Sequence, residues 1–490
     1  MSEANRQLPR GTFYVALGQA TFLLTSFLLY AVLARWLTPE PYGVLRVAMT
    51  VLMWVEITVN NGVPAALQKF LPDASLSEQA VRRAAARAQA LIGGGVFAVV
   101  FLAAPLLARL LGDPSLTAVL RLAFVDLLGM SAYAYYRGVL NGKRAFRQLA
   151  TAIAAYALTK LVFSSLLVML GLGVQGALLG NIASSLGALA VAWFWVRRWP
   201  RAPAVRDASD VMGERQMLVF VLPAIGLTLA SNLLLQMDLI GVQVLVDDGQ
   251  QVGYYGAAVQ LADAPRLVLL AFSFTLLPTL SHAIAARDLA QTRRTLRQVT
   301  RLLALAILPI VALVTATAEG LVTFLFSAAY APAAPYLMVL IFTYAAYSVY
   351  ITLITTLLAE NRPGLAFAIP SALLPVGVAA IWLGVGRIGP LGAALASLAV
   401  VGCAALIVAA YVWRRYRPGI DALSLLRVAL ASAVVWGAAR LWSPAGLMVP
   451  VSYVLLGGLY LGLLLGLGEI RVQDLADARR WLSFSKASRR

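Results

Sequence analysis

Apolar runs of roughly 18 to 25 residues recur fourteen times along the 490-residue chain, each about long enough to cross a ~30 Å hydrocarbon core as a helix. They fall near 12–34, 43–69, 88–110, 117–138, 149–171, 175–196, 217–245, 254–284, 302–326, 336–358, 365–386, 391–412, 425–442 and 446–467. Inside a bilayer every backbone N–H and C=O must find its partner within the protein, so such a chain is confined to a bundle of membrane helices. Hydrophobic residues make up 61% of it and charged residues 12%, which excludes an ordinary soluble domain of this size. The expected class is an all-α integral membrane protein. The first run is too long for the apolar core of a signal peptide and is expected to be a retained helix. The single cysteine, Cys403, excludes an intrachain disulfide.

The net charge of +18 is segregated to one side. Placing the N-terminus in the cytoplasm puts Arg6, Arg10, Arg82, Arg83, Arg87, Lys143 and Arg144 on that face, followed by Arg197, Arg198, Arg201 and Arg206. Arg293, Arg294, Arg297, Arg414, Arg415 and the tail from Arg471 to Arg490 join them, whereas the opposite connections, such as "GDPSLT" and "VDDGQQV", carry almost no Lys or Arg, Arg35 and Arg387 being the exceptions. This bias predicts a multi-pass protein of the cytoplasmic membrane with both termini inside. The tail "EIRVQDLADARRWLSFSKASRR" has the spacing of a short interfacial helix facing anionic lipid. No basic patch interleaved with aromatic residues points to nucleic acid.

Two distant stretches read alike. One runs from Leu140 and the other from Ala359, each with an Asn-containing basic turn, an apolar helix, a Gly-rich turn with Gly-Ala (Gly176-Ala177, Gly392-Ala393), a second helix and a paired-Arg stop. The chain is therefore expected to divide into an N-lobe over 1–200 with helices 1 to 6 and a C-lobe over 201–416 with helices 7 to 12. Helices 13 and 14 occupy 417–468, and a basic cytoplasmic tail covers 469–490. Parallel repeats of this kind build transporters whose halves rock about a central site.

Several polar residues lie inside these spans, where a charge costs about 2.5 to 3.5 kcal/mol on insertion scales. In the second run Arg46, Glu56 and Asn60 fall within an arc of about 80° at 100° per residue, beside Asn61 and a Gly62-Val63-Pro64 break. In the eighth, Gln260, Asp263 and Arg266 are spaced i, i+3, i+6 around Pro265, which frees the carbonyl of Leu261. Corresponding helices of the two halves thus each carry an acid, an arginine and an interruption, the pattern of a transport site. Asn232, Gln236 and Gln243 share a face of the seventh helix, with Asp238 near its outer end, and Asp126 and Lys160 add charge to the fourth and fifth. The alternative for each pair, Arg46 with Glu56 and Asp263 with Arg266, is a salt bridge that merely locks helices.

Catalytic constellations are missing. Gly138-Val-Leu-Asn-Gly142-Lys143 has one residue too few for a phosphate loop, and Arg144 stands where Ser or Thr is needed. No His-Glu-x-x-His, paired-cysteine or Gly-x-Ser-x-Gly motif occurs. The outward connections are too short to hold a catalytic domain, so the chain is not expected to be an enzyme.

The stretches "LARWLTPEPYGVLRVAMTVLMWVEITVNNGVPAALQKFLPD" at 33–73 and "GYYGAAVQLADAPRLVLLAFSFTLLPTLSHAIA" at 253–285 carry a resemblance. The first has an Ala-Arg-x-Leu turn leading into Tyr-Gly, and the second closes on Leu-Pro-x-Leu-Ser. Through them the whole chain resembles the polysaccharide-repeat-unit flippases (Wzx type) of the multidrug/oligosaccharidyl-lipid/polysaccharide exporter (MOP) superfamily. The resemblance implies fourteen helices in a MATE-like fold, a central cationic cavity and outward movement of an undecaprenyl-pyrophosphate-linked oligosaccharide in polysaccharide biosynthesis. Membrane lipids, a polysaccharide polymerase and export machinery are the implied partners. On this reading Arg46 and Arg266 hold the pyrophosphate, while Asn60, Asn61, Asn232, Gln236 and Lys160 contact the substrate. Glu56, Asp263 and Asp238 neutralise charge or carry H+ or Na+; no cofactor or metal is implied. Related lipid II flippases place arginines and acids on helices 1, 2, 7 and 8, but helix 1 here has only Gln19 as a strongly polar side chain. A lipid II flippase, a cation-coupled multidrug exporter and, from a different class, a membrane glycosyltransferase or polymerase are the alternatives.

Overall fold

The computed structural model describes residues 3–72, 77–199, 214–419 and 421–469. Among them every regular element is helical. In chain order come α1 (Glu3–Trp36), α2 (Pro39–Asn61), α3 (Val63–Phe70), α4 (Glu78–Leu110), α5 (Leu116–Gly142), α6 (Phe146–Leu167), α7 (Gly173–Arg197) and α8 (Glu214–Leu245). These are followed by α9 (Gly249–Ala262), α10 (Ala264–Ala285), α11 (Leu289–Ala316), α12 (Ala318–Leu325), α13 (Ala334–Ala359) and α14 (Pro363–Ile388). The last three are α15 (Pro390–Tyr416), α16 (Ala422–Trp442) and α17 (Met448–Gly466). Eleven stretches of the described residues are long and apolar enough to cross a membrane, and one of them, Phe146–Arg197, contains both α6 and α7. The protein is thus a multi-pass membrane protein. Arg201, Arg206 and the tail beyond Glu469, with its expected interfacial helix, lie outside the described residues.

Several helices depart from the apolar runs in instructive ways. α4 starts at Glu78 and α11 at Leu289, about ten residues ahead of the runs at 88 and 302. Each begins at a side-chain cap: Ser77 Oγ accepts from the Ala80 N–H at 3.5 Å, and Asp288 Oδ1 from the Gln291 N–H at 2.8 Å. Arginines in the second turns then continue each helix, and in α11 an amphipathic stripe buries Thr292, Leu296, Val299 and Leu303. The run at 43–69 is two helices, α2 and α3, separated at Gly62, and the run at 254–284 divides at Asp263 into α9 and α10.

The chain groups into two compact units, Met1–Ala257 with Pro363–Ser397, and Ala258–Arg362 with Leu398–Arg490. In the first, a core of Val63, Leu67, Met130, Tyr133, Leu149 and Tyr156 draws together α3, α5 and α6. The α6–α7 hairpin packs closely: Ser164 Oγ donates to the Ala177 carbonyl at 3.1 Å, and Trp195 Nε1 to Thr151 Oγ1 at 3.0 Å. In the second unit Val428, Val435, Leu456 and Tyr460 join α16 and α17 to α11. The junction is closed by Glu469, which accepts from Arg301 Nε at 2.6 Å and from Ser424 Oγ.

Membrane helices gain no hydrophobic drive from meeting one another in lipid, so close packing of small residues carries their association. A Cβ on the buried Gly180 of α7 would overlap the backbone of Ser164 on α6. Gly180→Val is therefore expected to destabilise the protein by about 1–3 kcal/mol through overpacking, read as a lower midpoint of thermal unfolding in detergent micelles. An unchanged midpoint would show that the α6–α7 contact contributes nothing.

Candidate functional site

Pro64, near the start of α3, has no N–H, so the carbonyl four residues earlier, that of Asn60, loses its helical donor. Arg137 of α5 supplies one, its Nη2 donating to the Asn60 carbonyl at 2.8 Å. The neighbouring Val59 carbonyl accepts from Gln89 Nε2 of α4 at 3.1 Å, and the same Nε2 reaches Ser131 Oγ at 2.9 Å. Gln89 is buried. Two carbonyls at the end of α2 are thus satisfied by side chains from α4 and α5, as burial of a helix end requires.

Glu56 sits one turn before this end. Its carboxyl group lies within electrostatic reach of that of Asp126 on α5, and Lys160 of α6 and Arg137 lie within Coulombic reach of it. Asp126 is 1% exposed and is fixed from behind by α7: Asn181 Nδ2 donates to Oδ2 at 2.7 Å, and Ser185 Oγ donates to Oδ1. Glu56 and Lys160, in contrast, are only partly buried. Two acids and two cations are so gathered at membrane depth, with one side of the group accessible.

Lys160 Nζ lies 5.6 Å from the centre of the Tyr156 ring, and Tyr30 of α1 is a further neighbour of it. Over the Tyr30 ring itself lies Arg46, its guanidinium carbon 4.9 Å from the ring centre. Arg46 is buried, its stem 3.0 Å from the Cβ position of Gly256 on α9.

The amides are more dispersed. Asn61 Nδ2 donates to the Ile57 carbonyl at 3.3 Å and Asn232 Nδ2 to the Thr228 carbonyl at 2.8 Å, each within its own helix. Gln236 Nε2 lies 3.8 Å from Met53 Sδ, where α8 meets α2. Asp238 is 1% exposed and accepts from Tyr255 Oη at 2.7 Å and from the Leu239 N–H at 2.8 Å, which ties α8 to α9.

Asp263 and Arg266 belong to the second unit. Asp263 occupies the junction of α9 and α10, with Pro265 in the first turn of α10. Arg266 Nε and Nη2 donate to its two carboxylate oxygens at 2.6 and 2.7 Å, a bidentate pair. Tyr344 and Tyr347 of α13 lie within Coulombic reach of the guanidinium. The side chains are 43% and 23% exposed for Arg266 and Asp263, so the pair is open on one side.

Sequence reasoning passed over Arg137 and Tyr30. Arg137 reads as a helix-end cation, five residues before the basic turn at Gly142; its signal was the carbonyl that Pro64 leaves without a donor. Tyr30 was hidden in the uncharged stretch 13–34 of α1, its signal being a polar tip on an apolar body.

A family model described as polysaccharide biosynthesis protein matches residues 8–284, more than half of the chain. No curated protein sequence matches. Among solved structures, the lipid II flippase MurJ in an inward closed conformation gives a TM-score of 0.73 at 13% identity, covering 92% of this chain and 98% of that one. An inward-facing multidrug resistance MATE family transporter of the MOP superfamily gives 0.69 at 13% identity over 82% and 98% of the two chains. A MOP superfamily transporter from Pyrococcus furiosus, whose binding pocket is described as reversed in polarity, gives 0.59 at 15% identity over 84% and 94%. The fold is that of MurJ and the MATE transporters.

Removing the Arg137 guanidinium strands the Asn60 carbonyl. Arg137→Ala is expected to cost about 1–3 kcal/mol of stability, the penalty of a buried acceptor without a donor, with Arg137→Lys recovering part of it. Thermal unfolding of the purified variants measures this; an Arg137→Ala protein as stable as the wild type would contradict the assigned bond.

Proposed function

Because the chain belongs to the polysaccharide biosynthesis protein family, we propose that it is a flippase carrying an undecaprenyl-pyrophosphate-linked oligosaccharide repeat unit outward across the cytoplasmic membrane by alternating access. The observation that carries this reading is the charged cluster of Glu56, Asp126, Arg137 and Lys160 inside spans that would otherwise be apolar. Each such charge at mid-bilayer costs about 2.5–3.5 kcal/mol on insertion scales, and an aqueous path for an anionic, hydroxylated head group accounts for keeping them.

Arg46 and Arg266 are the pyrophosphate ligands on this proposal, since a guanidinium fork matches two phosphate oxygens. Arg266 already holds a bidentate carboxylate, so pyrophosphate exchanges one bidentate anion for another. That exchange keeps the cation neutralised when the carrier returns empty. Asn60, Asn61, Asn232 and Gln236 contact sugar hydroxyls, and Lys160 adds a cation beside them. The Glu56–Asp126 pair carries the coupling ion. With Lys160 and Arg137 beside it, a further cation such as Na+ is repelled, and a proton shared by the two carboxyl groups fits.

The fourteen-span topology with both termini in the cytoplasm belongs to the same proposal, as do a downstream polysaccharide polymerase and export machinery as partners. In cells dependent on this chain, Arg46→Ala with Arg266→Ala is expected to lower export by roughly 10-fold or more, the scale of losing a charge-assisted hydrogen bond. Lipid-linked oligosaccharide should then accumulate in the inner leaflet. Unimpaired export by the double variant would refute the assignment of both arginines.

A further inference from the structure

The loop from α1 to α2 and the turn from α6 to α7 border a wide-open, shallow cavity of about 860 Å³ at one end of the first unit. On the proposed topology this is the outward end. Trp36, Thr38 and Glu40 line one side of it, Leu172 and Gln175 the other, and Val119 of α5 also contributes. The Trp36 side chain is 56% exposed, and Glu40 and Gln175 are exposed as well. Leu172 lies between Gly171 and Gly173, whose φ values of 88° and 53° turn the chain with nothing packed on either glycine.

An accessible indole face beside a carboxylate, an amide and a hydroxyl is the chemistry that receives a saccharide. The ring covers the C–H face of a sugar, and the polar groups take its hydroxyls, the carboxylate most strongly. A lipid chain would leave Glu40 and Gln175 without a role.

The cavity also shares a wall with a helix contact. Glu40 Cγ stands 3.0 Å from the Cβ position of Gly249, a Cβ on Gly253 would overlap the Pro39 carbonyl, and Gly43 meets Gly253 backbone to backbone. The first turn of α2 is therefore held directly against α9. We propose that this cavity is a saccharide-binding subsite at the outward end, taking the oligosaccharide head as α2 parts from α9. This inference rests on the flippase reading and adds to it a site apart from Arg46 and Arg266.

The test uses the full chain in lipid nanodiscs and two probes, the oligosaccharide freed from its lipid by mild acid and undecaprenyl pyrophosphate bearing no sugar. Saturation-transfer NMR or a titration should show the free oligosaccharide bound by the wild type. Trp36→Ala and Gln175→Ala should each weaken it about tenfold, the scale of one lost stacking or hydrogen-bonding contact. Trp36→Phe should retain most of it, and the sugar-free lipid should bind all four proteins alike. Oligosaccharide binding that ignores Trp36→Ala and Gln175→Ala overturns the subsite. So does a wild type that moves the lipid-linked oligosaccharide in vesicles yet binds no free oligosaccharide, an outcome that leaves the flippase reading standing. A wild type that moves no such lipid removes that reading and this inference together.

Discussion

A helix cannot end within a membrane span with open carbonyls, and α2 ends inside the apolar span Pro39–Phe70. The break at Gly62 and Pro64 leaves the Val59 and Asn60 carbonyls to be satisfied by Gln89 and Arg137. Those two bonds fix α2 against α4 and α5, and the register they impose brings Glu56 to Asp126. Asp126 is in turn held by Asn181 and Ser185 of α7. A single interruption thus organises a polar interior across α2, α4, α5 and α7, and the one cation that closes it, Arg137, also faces the acid of Glu56.

The second unit answers the same constraint more simply. Pro265 interrupts its run as Pro64 interrupts the first, but here the acid at the break, Asp263, reaches the arginine three residues on. The charge is settled within one turn rather than among several helices. A pair so local can exchange its carboxylate for another bidentate anion without repacking, whereas the cluster in the first unit is built into the packing of α5, α6 and α7. This difference suits the proposed roles, a counter-ion that Arg266 can give up for phosphate in one case and a proton carrier in the other.

Much of the fold was legible because its signals are local. Apolar length announced the membrane helices, and Pro64 and Pro265 marked the two broken ones. The i, i+3 spacing of Asp263 and Arg266 is itself the geometry of their ion pair. What escaped depends on neighbours. Helical spacing placed Arg46, Glu56 and Asn60 on one arc of α2, yet which side chain each meets follows from the rotation of α1, α5 and α6 around it. Arg46 meets the Tyr30 ring and Glu56 meets Asp126, and neither contact is encoded in α2. Helix starts at Glu78 and Leu289 escaped for another reason: basic amphipathic turns continue a helix after apolar length has run out.

The claim on which the account turns is that the acid pair assembled by the α2 break carries the ion that drives transport. It is tested by reconstituting the chain in vesicles with lipid-linked oligosaccharide and imposing a proton gradient, then following appearance of the sugar on the opposite leaflet with an impermeant lectin. The account predicts that the gradient accelerates relocation by the wild type and does nothing for Asp126→Asn, whose side chain keeps the shape of the original. Equal acceleration of both proteins, or a wild type indifferent to the gradient, would contradict it.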